Sequence, residues 1–460
     1  MNKRWPGVVA AVGLIAAVAV AVVVTSDADG ESLAAQPIVG ASQQAAVDQL
    51  RTRLLTELVQ RRTQALVSGD EAGWLADVDP RREDTVAYER MRFQNLRRLE
   101  PAHFRILPGE SSLHEYKAAP LEFDILVTQV MRLPEDVRSS ANDYRWYVSV
   151  TDDRITIGGV DEKPMPVGQD AARSPAWDDV ALRTVRGERA TVVSAQDGAW
   201  DPQAYTAAAE RAARRVQELW RSRKSPSRFI VFLADDSQFS SWFDNHRAPM
   251  GSTIGVATLP QMVADDGGRY PSQRDRSAGL GSSTKPRYLD RAAGARIMLR
   301  MSKIKDMAHA EAVMVHEMTH ALGPHLISPD SIDFGTEGRM DQPVWAIEGF
   351  ARYVEHKSRP GTAEQGAAFV RRNMSKWGAK GFPVNKDFYS EDQDRTTFNY
   401  EIGAAFFLAA ERAGNAQKAA DLYIALTNST QLTSGFINQD IAAAGLDPDR
   451  VWAAYRKLVG

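Results

Sequence analysis

Hydrophobic positions along the chain change period several times, and each change marks a segment. Residues 8–24 are an unbroken apolar run, preceded by Lys3 and Arg4 and followed by a polar, acidic stretch with Asp27, Asp29 and Glu31. A run apolar on every face at the amino end reads as a targeting or anchoring segment, not a core helix. Positive charge before it and negative charge after it orient the rest of the chain away from the cytoplasm. Residues 1–30 are therefore expected to form a signal or membrane anchor, so that the membrane is one partner. The small residues Ser32, Ala34 and Ala35 stand far from the run, which favours a retained anchor; cleavage would give a secreted protein. Residues 31–41 are polar and small and read as a linker.

From Leu50 the period becomes helical, with Leu54, Leu55, Leu58 and Val59 at three- and four-residue spacing, and a second helical stretch covers 85–99. Beyond Phe104 the period falls to about two. Strands are expected at 121–131, 145–151 and 154–157, with a turn at Asp152-Asp153. Helices followed by a curved antiparallel sheet of this size make 42–170 an α+β domain that resembles the nuclear-transport-factor-like fold, with no chemistry implied. A stretch with Pro, Asp and Gly at 161–175 reads as a boundary. Short strands are expected next at 180–185 and 190–194, then an amphipathic helix over 202–220 and a buried strand at 229–233. Weaker strands follow at 255–259 and 296–301, with a surface loop at 265–290 between them. Everything after Lys305 reads as helix. The fold class expected is α+β: anchor, small α+β domain, then a domain over 176–460 with a small sheet followed by a helical half.

Charge and composition narrow the chemistry. Fifty-six basic against 59 acidic side chains, a net charge of −3, give no reason to expect nucleic acid as a partner. The chain has no cysteine, so any metal must be held by histidine and carboxylate.

The sharpest local pattern is His316-Glu317-Met318-Thr319-His320. Residues four apart share a helix face, so both imidazoles can reach one metal ion while Glu317 projects beside it. A helix is expected there: Asp306 is a fitting N-cap, 308–322 contains no breaker, and Gly323-Pro324 ends it. Met314, Val315, Met318 and Leu322 mark the helix as buried, and a buried polar trio needs strong partners. The other reading is a pair of helix histidines bonded to neighbours.

A catalytic zinc takes three protein ligands and leaves a position open. His325 follows His320-Ala-Leu-Gly323 as in the metzincin pattern, but one residue too early. Glu348 is the better third ligand. It lies in Trp345-Ala-Ile-Glu348-Gly-Phe-Ala351-Arg-Tyr353, with Asp341 as N-cap and Pro343 in the first turn. A carboxylate on a helix apolar nearly all round must be neutralised, paired or metal-bound. A helix salt bridge from Glu348 to Arg352 is the alternative. Glu355 and Asp341 are candidates to orient the histidines.

A zinc-binding helix followed by a helix with Trp-x-x-Glu-Gly-x-Ala-x-Tyr resembles the gluzincin metallopeptidases. It is especially similar to the peptidase MA-like domains of bacterial surface proteins. The resemblance implies one catalytic zinc held by His316, His320 and Glu348, and Glu317 as the general base that activates a water against a peptide or protein substrate. The stretch between His320 and Glu348 is longer than usual in that family, which implies an inserted loop at 327–339. Tyr400-Glu401-Ile402-Gly403, ahead of a helix expected at 404–411, is similar to the Tyr-Glu-x-Gly stretch of zinc aminopeptidases. It implies Tyr400 as donor to the developing oxyanion; the alternative is a packing tyrosine at a helix start. Aminopeptidase activity is not implied, because the Gly-x-Met-x-Asn stretch of those enzymes is missing. The competing function is a membrane-tethered binding module that keeps the fold without turnover.

Overall fold

Leucines at helical spacing give the first helix, α1 (Ala41–Ser68), an apolar stripe, and the structure buries it: Leu54, Leu55, Leu58 and Val59 are all in the core. That structure is a computed structural model. It describes residues 41–108, 122–151, 154–161, 165–166, 175–220, 226–242, 253–260, 262–263, 293–322, 343–378, 381–428 and 434–460. The expected anchor, the 265–290 and 327–339 loops, and His325 and Asp341 lie outside the described residues. Among those described, no helix is long and apolar enough to cross a membrane. Two compact units form, one within residues 1–90, 106–128 and 144–161, the other within 91–105, 129–143 and 162–460.

After α1 come α2 (Glu71–Leu75), α3 (Glu83–Leu99), β1 (His103–Pro108), β2 (Glu122–Arg132), β3 (Ser139–Thr151), β4 (Arg154–Val160) and β5 (Met165–Pro166). Strands β1, β2 and β3 are neighbours in that order, and β4 pairs antiparallel with β3 through a register shift at Tyr147/Val148. Strand β3 starts earlier than the alternation suggests. Its first residues, Ser139 to Asp143, are mostly polar and carry no period-2 signal, yet Asn142 and Asp143 pair with β5. In the first unit Trp74 and Trp146 are fully buried around Arg62. Its guanidinium lies 3.9 Å from the Trp74 ring centroid and pairs with buried Glu89.

The second unit holds α4 (Ala176–Asp179), β6 (Leu182–Arg186), β7 (Ala190–Ala195), α5 (Pro202–Leu219), β8 (Phe229–Ala234), α6 (Asp236–Trp242), β9 (Gly255–Thr258), β10 (Met262–Val263) and β11 (Arg296–Arg300). Its helical half is α7 (Met307–Leu322), α8 (Val344–His356), α9 (Thr362–Trp377), α10 (Gln393–Ala413), α11 (Ala416–Asn428), α12 (Ser434–Ala443) and α13 (Pro448–Val459). The sheet order is β6-β7-β8-β11-β9. Strands β7, β8 and β11 run parallel, while β6 and β9 run antiparallel to their neighbours. Every residue of β7 and β8 is buried, as continuous apolar runs require of central parallel strands. The crossover helix α5 starts where Asp201 accepts from the Gln203 amide at 3.1 Å, and its alanine stripe packs into the same core as Met314, Val315 and Met318 of α7.

The all-helical expectation after Lys305 needs one correction. Residues 381–392, between α9 and α10, are not helix apart from a short 3-10 turn at Asn385–Asp387. The reason is local: Gly381 sits at φ +78°, a left-handed conformation, and Pro383 removes an amide donor.

Candidate metal centre

Helix α7 begins as its sequence requires. The Asp306 carboxylate accepts from the His309 amide at 2.7 Å, and the Asp306 carbonyl accepts from the Ala310 amide at 2.9 Å. Apolar residues then bury nearly the whole helix, and His316, Glu317 and Thr319 go in with them. Thr319 is satisfied locally, its hydroxyl donating to the Val315 carbonyl at 2.7 Å. The one-turn spacing places the rings of His316 and His320 with centroids 4.8 Å apart.

Helix α8 brings the third group. It starts at Val344 with Pro343 in the cap position, and the Val344 amide donates to the Asn385 side chain at 2.9 Å. Glu348 Oε2 lies 3.2 Å from His316 Nε2 and 3.3 Å from His320 Nε2. Ligand atoms of the three residues all fall within 4.8 Å of one another, a group that could hold a metal ion. Arg352 does not take Glu348 as its partner. It binds Glu355 on its own helix and Glu401 on α10.

Glycines set the crossing of α8 and α10. A Cβ placed on Gly349 would stand 2.5 Å from the Gly403 Cα, closer than real Cβ atoms come. The two backbones touch there, and so Glu348 and Tyr400, each near its helix's glycine, face the same space. This corrects the expected start of a helix at 404: α10 runs through Tyr400 from Gln393, because Gly403 serves close approach and is not a breaker. The Tyr400 ring centroid lies 5.9 Å from that of His316.

Behind the convergent atoms runs a chain of buried charges. His316 Nδ1 is 3.2 Å from Glu355 Oε2, Glu355 meets Arg352, Arg352 Nε donates to Glu401 Oε1 at 2.8 Å, and Glu401 Oε2 is 2.7 Å from His356 Nε2. Burial alone would lower the His316 pKa, but its bonds to Glu348 and Glu355 prevail and raise it to about 10. Burial would raise Glu355, yet Arg352 and His316 pull it down to about 2. Glu348 is held well below the carboxylate range against burial, chiefly by His320 and His316. The carboxylates thus concentrate demand for positive charge at one point. Glu401 is buried too, but His356 and Arg352 keep its pKa below the usual value. A depressed carboxyl contributes stability above its unfolded pKa of ~4.3 and loses it as pH falls towards the folded value. Glu401→Gln should therefore cost about 3 kcal/mol at neutral pH and flatten the acid limb of a stability–pH profile. Urea unfolding from pH 7 to pH 3 checks this, and parallel curves for the two proteins would contradict it.

Glu317 is set apart from these pairs. Burial raises its pKa, and Glu348 and Glu355 add to the rise while His316 and His320 oppose it. Its neighbour is the backbone of β9. A Cβ on Gly255 would lie 2.9 Å from Glu317 Oε1 and 2.6 Å from Val313 Cγ1, so only glycine lets the strand lie this close to the helix. Glu317 is thus a buried carboxyl with a raised pKa beside the convergent donor set.

Tyr389 was not visible in the sequence. It lies in the segment read as helix, and nothing in Phe388-Tyr389-Ser390 marks it. Its hydroxyl donates to Glu348 Oε1 at 2.7 Å, and it is hydrogen-bonded to Tyr400, whose pKa burial and Glu348 push far up. Comparison with known proteins adds no assignment: no family model and no curated protein matches the chain.

Proposed function

We propose that the chain is a zinc-dependent metallopeptidase of the gluzincin type, with its peptidase MA-like domain over 176–460. In this reading residues 42–170 form a nuclear-transport-factor-like domain of unknown role, and the N-terminal segment tethers the protein outside the cytoplasm. The observation that carries the reading is the convergence of His316 Nε2, His320 Nε2 and Glu348 Oε2, with buried Glu317 one residue from the first ligand. Two imidazoles and one carboxylate oxygen, with Glu355 on the outer nitrogen of His316, are the donor types of a catalytic zinc site.

When bound, zinc supplies Lewis acidity, polarising a scissile carbonyl and acidifying a water. The residues do the rest. Glu355 fixes which nitrogen of His316 faces inward. Glu317 accepts the proton of the attacking water at its carboxylate and passes it to the departing amine. Tyr400 donates a hydrogen bond where negative charge develops on the carbonyl oxygen. Strand β9 supports a peptide as substrate: it is the last strand of its sheet among the described residues, and its Gly255 lies against Glu317. An extended chain pairing with that edge would run past the general base.

The test is zinc content of the full chain in mild detergent, beside Glu348→Ala. About one zinc per wild-type chain is expected, with affinity in the variant weakened by more than the ~10–100-fold typical of outer partners. Full retention of zinc by the variant would take Glu348 out of the ligand set. No uptake by the wild type would overturn the reading.

A further inference from the structure

Glu348 uses its two oxygens differently. Oε2 faces both imidazoles, at 3.2 and 3.3 Å, while Oε1 accepts the Tyr389 hydroxyl at 2.7 Å. A carboxylate whose second oxygen is held by a strong donor is a one-oxygen ligand. If both oxygens were free, the carboxylate could rotate to bind a metal through both and fill the position that a catalytic site must keep open. We propose that Tyr389 is a positioning residue that clamps Glu348 to one-oxygen ligation, and so reserves a coordination position for water or substrate. This rests on the metal reading of the site.

The clamp is built into the fold. Tyr389 sits on the non-helical segment 381–392, and that segment is pinned at several points. Trp345 of α8 stacks on Phe382 with ring centroids 3.9 Å apart and planes 8° from parallel. Asn385 accepts from the Val344 amide, the first of α8, at 2.9 Å. Phe388 is fully buried, and its carbonyl accepts from the Asn399 side chain of α10 at 2.6 Å. The segment is thus tied to α8 and α10 at Phe382, Asn385 and Phe388, all on the N-terminal side of the tyrosine and the last of them its immediate neighbour. The residue as a whole is 38% exposed, so it is not part of the core. What it offers the fold is its hydroxyl, directed at one oxygen of one carboxylate.

The experiment compares wild type with Tyr389→Phe and Tyr389→Leu as full chains in detergent, loaded with cobalt(II) in place of zinc. Visible absorption of cobalt(II) is strong when four-coordinate and falls on expansion to five or six. Wild type should show the strong spectrum, and both variants a several-fold weaker one. Zinc affinity by chelator competition should drop about tenfold. Thermal unfolding midpoints of the metal-free proteins should fall only modestly, by the loss of one hydrogen bond, and equally in the two variants. Variants that bind cobalt with the wild-type spectrum and affinity would overturn the clamp while leaving the metal site standing. A wild type that binds no cobalt would overturn the site, and the clamp with it.

Discussion

Glu317→Gln should abolish hydrolysis and leave zinc binding nearly intact. Positioned general bases contribute about 10²- to 10⁴-fold, and in the proposed mechanism the same carboxylate takes the proton from water and returns it to the amine, so the upper end is expected. Glutamine fills the same space beside Gly255 but cannot accept a proton. Metal affinity should persist because the three convergent donors are on His316, His320 and Glu348, and Glu317 is not among them. The assay pairs zinc content with cleavage of a peptide mixture, from which a wild-type substrate is first identified. A variant that cleaves that substrate at the wild-type rate would remove Glu317 from the mechanism.

The second large effect is structural. Gly349→Ala should destabilise the protein by about 3 kcal/mol, the upper end of the usual overpacking range. The added methyl would meet Gly403 Cα, Gly403 C and Ala404 N at 2.5, 2.7 and 3.1 Å. All three are backbone atoms, so no rotamer change relieves the clash and the helices must separate. Separation carries Glu348 away from His316 and His320, and zinc affinity should fall with stability. Urea midpoints and zinc competition on the same samples check this. A midpoint shift under about 0.5 kcal/mol, the range of an innocuous surface change, would show that the helices do not meet at that glycine.

Much of this architecture could be read from the chain. Asp306 and the breaker-free run after it located α7, and the apolar runs 190–194 and 229–233 located β7 and β8, because burial on both faces leaves a continuous signal. The spacing of His316 and His320 gave one face of one helix. The environment of Glu348, a carboxylate on a mostly apolar helix, singled it out as a partner across space. What escaped was tertiary. Gly403 looked like punctuation before a helix, since a single chain does not show that another backbone lies 2.5 Å from its missing Cβ. The first residues of β3 hid behind polar side chains whose pairing partners come from distant segments. Arg352 four residues after Glu348 suggested a local pair, but Glu355 and Glu401 offered it better geometry. Tyr389 left no trace, because its role depends on a segment pinned by Phe382, Asn385 and Phe388 and not on its neighbours in sequence.

The proposed ligands and Tyr400 all come from α7, α8 and α10, consecutive helices but for α9. Bringing such segments together closes loops of a few tens of residues, and each doubling of loop length adds only ~0.6 kcal/mol of entropic cost. The parallel strands β7, β8 and β11 instead need crossovers, and such non-local pairings are slow to form. Assembly of the metal-ligand cluster is therefore a local event that can precede completion of the sheet. Under the proposed metal reading, zinc present during refolding would meet a nearly formed chelate before the β9 edge is complete, and should accelerate folding of the helical half in particular.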